Sequence, residues 1–292
     1  MIISTYLRHE VIGSSDAAAI VGKSPYKTPY DLWLEKVQMV DGEVKSNEAC
    51  ELGNMCEDGL VTWAQVQIGA RGVQRDVTVR DEDCPFIAAN LDAVLEQSDG
   101  THANCEAKTA GLASPLQWER WGEEFTDEVP EEYIIQAHHQ MYVAKLNITY
   151  LPALLAPRGR KLFIIRRDEA LIQAVLHAEI EFWEKHVLKR VPPPKSAPSL
   201  DVIRRVRRVP SKTVSLATDL VTELRDATAD SKRAGKREDE AKAAVLTGLS
   251  FTDEAGATAY ADAGETTEGD RVEFFANKRG VRSLKLKENI HV

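Results

Sequence analysis

Glu106 and Lys108 stand two residues apart in the mostly apolar stretch NCEAKTA, residues 104–110. Because side chains alternate faces along a β-strand, a strand here would direct both charges to one face and the intervening Ala107 to the other. Two opposite charges that face a core are costly unless they pair with each other or bind something. An edge strand with one solvated face would show the same alternation, so this stretch alone leaves both interpretations open.

A further carboxylate comes from the preceding strand candidate FIAANLDAVL, residues 86–95, which the turn EQSDGTHAN joins to the stretch of Glu106. A hairpin of the two strands would bring Asp92 to Glu106 and Lys108. Two carboxylates and a main-chain carbonyl, here that of Ala107, form the oxygen-rich site that Mg²⁺ prefers. The adjacent ammonium would stabilise the charge that develops on a phosphate.

Hydrophobic periodicity predicts the elements that would position these residues. Helices are expected at residues 15–22, 29–38, 47–69, 130–146 and 168–190. Strands are expected at residues 73–80, 86–95 and 103–109, and in the stretches ITYLPALLAP and KLFIIRRD. The sequence therefore predicts an α/β fold with its acidic residues near strand ends.

A proline-rich segment at residues 192–198 is the best candidate for a domain boundary. It separates residues 1–195, which hold the candidate site, from residues 196–292. In the latter part, a charged helix is expected first, followed by short strands around the turn GETTEGD. This C-terminal appendage shows no motif that assigns a role to it.

Charge is unevenly distributed along the 292 residues, whose net charge is −9. This total argues against a protein that coats nucleic acid indiscriminately. Basic residues concentrate at 158–167 and 195–212, whereas acidic residues dominate 117–132. The two basic stretches are therefore candidates for contacts with a phosphate backbone, although a solvated face would look the same.

Three classes of site or location are disfavoured by composition. No apolar run approaches the roughly 18 residues of a membrane span, so a cytoplasmic protein is expected. The four cysteines form no CxxC pair, which argues against a zinc or iron–sulfur site. The stretch GKSPYKTP is rich in lysine but lacks the GxxxxGK[ST] form of a phosphate loop.

With these motifs in their observed order, residues 6–195 resemble the phage lambda exonuclease type of viral recombinase, the YqaJ-like family of PD-(D/E)xK nucleases. The stretches that carry the resemblance are LRHEVIGSSDAAAIVGKSPYKTPYDLWLEKV, ELGNMCEDGLVTWA, FIAANLDAVLE, CEAKTA, VPEEYIIQAHHQMYVAKLN and FWEKHV…PPPK. The resemblance implies a restriction-endonuclease-like core, in which helices flank a central mixed β-sheet.

The resemblance also implies roles for individual residues. It makes Asp92, Glu106 and Lys108 the nuclease core and adds the carboxylate of Glu57, on the preceding helix, to the metal site. Tyr133 and Gln136, three residues apart on one helix face, match positions that orient the nucleophile or the lysine.

A second group of residues is implied to contact DNA. Arg8 precedes Ser15 by the spacing at which the family places an arginine and a serine near the terminal 5′-phosphate. Ser15 and Asp16 are also expected to open a helix, where backbone N–H groups favour an anion.

One departure from the family pattern concerns the first acid. The usual Pro-Asp-Gly is here Leu91-Asp92-Ala93. Glu96 lies four residues beyond Asp92 on the same strand face and is the alternative ligand.

The resemblance implies a Mg²⁺-dependent enzyme, with two ions and with Mn²⁺ as a substitute, that digests double-stranded DNA from an end, 5′ to 3′. It further implies a trimeric ring and a single-strand annealing protein as partner, in a phage or its bacterial host. Two alternatives remain open from the sequence: an endonuclease on the same fold, and a non-catalytic DNA-binding accessory protein. The polarity, the oligomer size and the annealing partner are not fixed by the residues.

Overall fold

The computed structural model describes residues 8–40, 48–110, 120–194, 212–267, 271–276 and 282–287. Contacts divide the chain into two compact units, residues 1–209 and 210–292. The predicted change of domain between residues 195 and 196 lies outside the described residues, and the division of roles between the two parts stays a prediction.

The first unit alternates helices and strands as expected for an α/β fold. Its helices are α1 (Ser14–Ile20), α2 (Pro29–Lys36), α3 (Glu48–Ile68), α4 (Glu131–Val143) and α5 (Glu169–Phe182). Its strands are β1 (Gly72–Arg80), β2 (Ala88–Glu96), β3 (His102–Cys105), β4 (Lys108–Ala110), β5 (Ile148–Leu155) and β6 (Gly159–Arg166).

These six strands form one mixed sheet. Strands β1, β2 and β3 pair antiparallel in sequence, so the predicted hairpin between the strands of Asp92 and Glu106 is confirmed. Strands β3 and β4 both pair parallel with β5, and β6 pairs antiparallel with it. Strand β5 is therefore the interior strand beside which the candidate site is built.

The single strand expected at 103–109 is interrupted, because β3 ends at Cys105 and β4 begins at Lys108. Both segments keep one register with β5, in which Cys105 lies opposite Tyr150 and Lys108 opposite Ala153. That register places Pro152 opposite the gap. Proline has no N–H to donate to a ladder, so the gap occurs where β5 cannot complete the pairing.

Helices cover both faces of the sheet. Neighbouring residues on β6 point in opposite directions: Leu162 packs in the cluster of α3, whereas Phe163 packs in that of α4. Helix α4 buries Ala137 and Met141 against β5 and β6. The candidate residues on α3 and α4 thus approach the strands from opposite sides.

The helix expected over 168–190 changes its geometry near its end. Helix α5 stops at Phe182 and continues as a π-helical turn, Trp183–Val187. The ring of Trp183 stacks on Phe86 with centroids 5.2 Å apart, and Trp33 donates to the carbonyl of His186 at 3.0 Å. These two anchors account for the local widening of the helix.

The second unit contains a 31-residue helix, α6 (Thr218–Gly248), with no buried residue. It is followed by a hairpin of β7 (Ser250–Thr252) and β8 (Thr258–Tyr260). A three-stranded antiparallel sheet contains β9 (Ala263–Glu265), β10 (Arg271–Ala276) and β11 (Arg282–Lys287). The predicted charged helix and short strands are confirmed. Within the described ranges of the whole chain, no helix has the length and apolarity needed to span a membrane.

Candidate active site

Glu106 is the centre of a hydrogen-bonded cluster. Its side chain is buried, and three side chains donate to its two oxygens. Lys108 Nζ lies 2.5 Å and Gln136 Nε2 lies 2.6 Å from Oε1, while Gln140 Nε2 lies 2.6 Å from Oε2. A carboxylate held by one cation and two amides has a fixed orientation, so Glu106 presents a defined pair of oxygens.

Asp92 lies beside Glu106 across the hairpin. The β2–β3 pairing ends with Ala93 opposite Cys105, so the next residues in that register are Asp92 and Glu106. Asp92 Oδ2 accepts a hydrogen bond of 2.8 Å from the N–H of Ala107, in the gap between β3 and β4. Burial and the charge of Glu106 raise the pKa of Asp92 to about 8. A bound cation would therefore offset the repulsion between the carboxylates of Asp92 and Glu106.

Lys108 is the positive charge of the cluster. Its Nζ lies 5.1 Å from the ring centroid of Tyr133, in addition to its contact with Glu106. Burial would lower the pKa of Lys108, but the carboxylates of Glu106 and Asp92 raise it above its usual value. The ammonium group therefore stays charged, and Tyr133 supplies a cation–π contact on one side of it.

Helix α3 approaches the cluster through a close contact at Gly53. A Cβ added to Gly53 would come within 3.3 Å of Thr109 Oγ1 on β4. Glu57 follows one helical turn later. Burial and the charge of Glu106 raise the pKa of Glu57, which places its carboxylate within electrostatic range of the site.

A cleft of about 470 Å³ opens at this cluster. Asp92, Glu106 and Gln136 line it together with Arg8 and Ser15. Three of the residues that the sequence assigns to chemistry and all three that it assigns to DNA, including Asp16, therefore line one cavity.

Comparison with known proteins agrees with this geometry. Residues 5–147 match the model of the YqaJ-like viral recombinase domain. Residues 5–147 are therefore similar to that domain. The family resemblance drawn from the sequence is confirmed. The uncharacterized protein YqaJ of Bacillus subtilis (strain 168) is 33% identical over 198 residues, which cover 66% of this chain and 57% of that protein. The match thus spans little more than half of that relative.

The chain also resembles solved structures. An alkaline exonuclease (LHK-Exo) from Laribacter hongkongensis superposes with a TM-score of 0.50 at 17% identity, covering 63% of this chain and 91% of that chain. The same protein in complex with dAMP gives a TM-score of 0.50 at 18% identity, covering 63% and 90%. At such identity the likeness concerns the fold alone, a mixed β-sheet flanked by helices.

Gln140 is a site residue that sequence reasoning missed. It is fully buried, and its Oε1 accepts a hydrogen bond of 2.9 Å from Asn104 Nδ2. Its Nε2 also donates to the carbonyl of Asn90 at 3.1 Å, beside Glu106. Asn104 in turn donates to Thr149 Oγ1 at 3.1 Å. Gln140 follows Gln136 by one helical turn, and that spacing was the available signal.

Replacing Gln140 by leucine is expected to lower the free energy of unfolding by about 2–4 kcal/mol. The substitution keeps the approximate volume but removes the buried hydrogen bonds that Gln140 makes with Glu106 and Asn104. Urea denaturation would measure the change. Gln173→Leu, on the exposed face of α5, is the matched control and should stay within about 0.5 kcal/mol of the wild type. Equal stability of the two variants would contradict a structural role for the Gln140 network.

Asp16 lies in the first turn of α1, the helix that Ser15 and Asp16 were predicted to open. Its carboxylate is buried and lies 2.6 Å from Lys36 Nζ. Lys36 also donates to the carbonyls of Arg8 and Val11, at 2.7 and 2.5 Å. Asp16 therefore helps hold the segment that carries Arg8 in place, and its predicted DNA contact, like those of Arg8 and Ser15, stays a prediction.

Glu96, the alternative first acid, lies at the exposed end of β2. It pairs in register with Gly72 and His102. The residue opposite Glu106 is Asp92, so the geometry favours Asp92 over Glu96 as the first acid of the candidate site.

The metal expected at this site is Mg²⁺, which requires oxygen donors. In the described part of the chain, no group of three His, Cys, Asp or Glu side chains converges as a ready metal site. Mg²⁺, however, is commonly held by one or two carboxylates and keeps several waters. Asp92 and Glu106, with the Ala107 carbonyl in the same interrupted segment, provide hard oxygen donors of that kind, so the residues fit.

The two basic stretches differ in what the structure says of them. In residues 158–167, Lys161 and Arg167 donate to main-chain carbonyls at 2.7 and 2.9 Å and so stabilise the fold. Apart from Lys212, residues 195–212 lie outside the described ranges. The predicted DNA contacts of both stretches stay a prediction.

Proposed function

We propose that this protein is a Mg²⁺-dependent exodeoxyribonuclease that degrades double-stranded DNA from an end, 5′ to 3′, and leaves 3′ single-stranded tails. The observation that carries the proposal is the contact of Lys108 with Glu106, a carboxylate that lines one cleft together with Asp92, Arg8 and Ser15. A cleft with hydrolytic groups and an arginine suits a phosphodiester near a DNA end.

Lys108, Gln136 and Tyr133 have separate roles in the proposed reaction. The Lys108 ammonium stabilises the negative charge that develops on the phosphate oxygens during hydrolysis. Gln136 donates to the same Glu106 oxygen as Lys108 and fixes the orientation of that carboxylate. Tyr133 packs against the ammonium group and restricts its position.

A divalent cation held by Asp92 and Glu106 would supply Lewis-acid polarisation of the scissile phosphate. The carboxylate of Glu57 and the Ala107 carbonyl are the further oxygens proposed for this site, which would hold two Mg²⁺ ions or, as a substitute, Mn²⁺.

Arg8 and Ser15 are proposed to hold the terminal 5′-phosphate. A guanidinium group binds phosphate through two parallel hydrogen bonds, and a hydroxyl adds a third. Such a contact would favour ends over internal phosphates, which supports an exonuclease over an endonuclease.

The resemblance extends the proposal to the assembly. A trimeric ring around double-stranded DNA, a single-strand annealing protein that receives the 3′ tail, and action in the cytoplasm of a bacterial host all follow from the family. Residues 196–292 are a candidate for an additional contact in that assembly.

The test is digestion of linear duplex labelled at either the 5′ or the 3′ end, with a closed circle as control. We expect early release of the 5′ label with Mg²⁺, none with EDTA, and no cutting of the circle. Cleaved circles would favour the endonuclease. Salt-sensitive DNA binding without any cleavage would favour the accessory protein.

A further inference from the structure

We propose that the hollow beside Lys108, walled by Tyr26, Trp121 and Tyr133, binds one nucleobase of the DNA end, with Tyr26 as its stacking residue. This inference rests on the proposed nuclease function, since it adds a subsite next to the scissile phosphate.

The position of the hollow is the first argument. Thr109 and Ala110, which directly follow Lys108 on β4, line it. On α4, Tyr133 lines it as well, whereas Gln136, one turn further, lines the cleft with the carboxylates. Strand and helix therefore place the hollow and the cleft on either side of Lys108, so a strand whose phosphate lies at Lys108 has a neighbouring nucleoside at the hollow.

The size of the hollow, about 210 Å³, is the second argument. It is smaller than the roughly 300–1,000 Å³ of pockets that enclose whole drug-sized ligands. A single planar group fits this scale better than a complete nucleotide.

The chemistry of its walls is the third argument. Tyr26 is 67% exposed, and its phenol hydrogen-bonds that of Tyr133. The rings of Trp121 and Tyr133 have centroids 5.5 Å apart. Aromatic faces bind nucleobases by stacking, with little dependence on sequence, which suits an enzyme that must accept every base.

Arg120 and Glu132 complete the walls with a neutral polar pair. The guanidinium meets the carboxylate through two hydrogen bonds, of 2.7 and 2.6 Å. Glu132 is therefore no source of repulsion toward DNA, and the half-exposed Arg120 keeps further N–H donors for a base edge or a sugar.

The loop that carries Tyr26 is the stretch GKSPYKTP, whose lysines do not face a phosphate. Lys23 pairs with Glu131 at 3.0 Å and Lys27 with Glu35 at 2.6 Å. Ser24 Oγ accepts from the backbone N–H of Tyr26 at 3.2 Å and closes a turn. Because the lysines of the loop are paired in this way, the group that the loop contributes to the hollow is the aromatic ring of Tyr26.

The experiment compares duplex ends that carry an abasic residue at each of the first three positions in turn. For the wild type, one position should lower kcat/KM about tenfold, the scale of a lost base–aromatic stack. On the intact end, the kcat/KM of Tyr26→Ala should be about tenfold lower than that of the wild type. The abasic residue at the sensitive position should not lower the kcat/KM of this variant further. Tyr26→Phe, which keeps the ring, should retain the discrimination. Tyr260→Ala, an exposed tyrosine of the second unit, is the matched control.

A binding measurement separates this inference from the proposed function. A 2-aminopurine at the sensitive position, or at each of the three positions if none is sensitive, should be quenched by the wild type with Ca²⁺ in place of Mg²⁺, and not by Tyr26→Ala. Cleavage without Tyr26-dependent quenching and discrimination would overturn the base subsite and leave the nuclease intact. Quenching that depends on Tyr26 in a protein that cleaves no DNA would overturn the nuclease and support the subsite.

Discussion

The Asp92→Asn protein is expected to lose nuclease activity by about 10³-fold or more and yet to melt at a higher temperature than the wild type at pH 8. Activity falls because an amide cannot replace a carboxylate as a hard anionic ligand for a divalent cation. Stability rises because the carboxylate of Asp92 is crowded by that of Glu106 and partly buried. The asparagine Oδ1 can still accept the hydrogen bond from the N–H of Ala107 that Asp92 accepts at 2.8 Å.

The pH dependence of this gain follows from the pKa of Asp92, which burial and Glu106 raise to about 8. In the unfolded chain an aspartate has a pKa of about 3.9. Because the folded protein holds this proton more tightly, the wild type loses stability as the pH rises from about 4 to about 8. The asparagine variant lacks this loss, so its stability advantage should be close to zero near pH 4 and grow with pH, up to about 5 kcal/mol at pH 8.

Thermal melts in EDTA between pH 5 and 9, with digestion of linear duplex in Mg²⁺, measure both effects. Glu96→Gln is the matched control, since Glu96 lies on the same strand but at its exposed end. It should change neither the activity nor the pH profile. A Glu96→Gln protein that is inactive beside an active Asp92→Asn protein would make Glu96 the metal ligand.

Local sequence patterns predicted the elements of the fold better than the joins between them. The hairpin of β2 and β3 followed from alternation and a turn, and it correctly brought Asp92 to Glu106. The interruption after Cys105 did not follow, because it depends on Pro152, about 45 residues away in the chain. Which residues lie opposite a proline is decided by strand pairing and not by local propensity.

The candidate site was predictable to the extent that its residues carry recognisable charge. Glu106 and Lys108 were predicted to share a face, and they are in contact. Gln140 was missed because a neutral amide on a helix cannot be told from an ordinary buried residue by sequence alone. Its role becomes visible only when the packing of α4 against β3 is known. The pairing of Asp16 with Lys36 was hidden for the same reason, since the two belong to different helices.

Lys108→Ala is expected to lower the rate of duplex digestion by about 10²–10³-fold, the usual cost of removing one preorganised charge from a transition state. Burial would lower the pKa of Lys108, but Glu106 and Asp92 raise it, so the wild-type side chain is a cation throughout the working pH range. Alanine removes that charge. Arginine should not restore the rate, because the larger planar group cannot take the place of the ammonium between Glu106 and the ring of Tyr133.

The measurement is the initial rate of nucleotide release at saturating DNA, with circular dichroism to show that the variant is folded. Lys185→Ala is the matched control, because Lys185 lies outside both basic stretches and donates to Glu181 Oε1, at 2.6 Å. Its rate should stay within about threefold of the wild type, as its contact is structural. A Lys108→Ala protein that digests duplex at near the wild-type rate would remove Lys108 from the reaction, and the ion pair with Glu106 would then serve to offset buried negative charge in the fold.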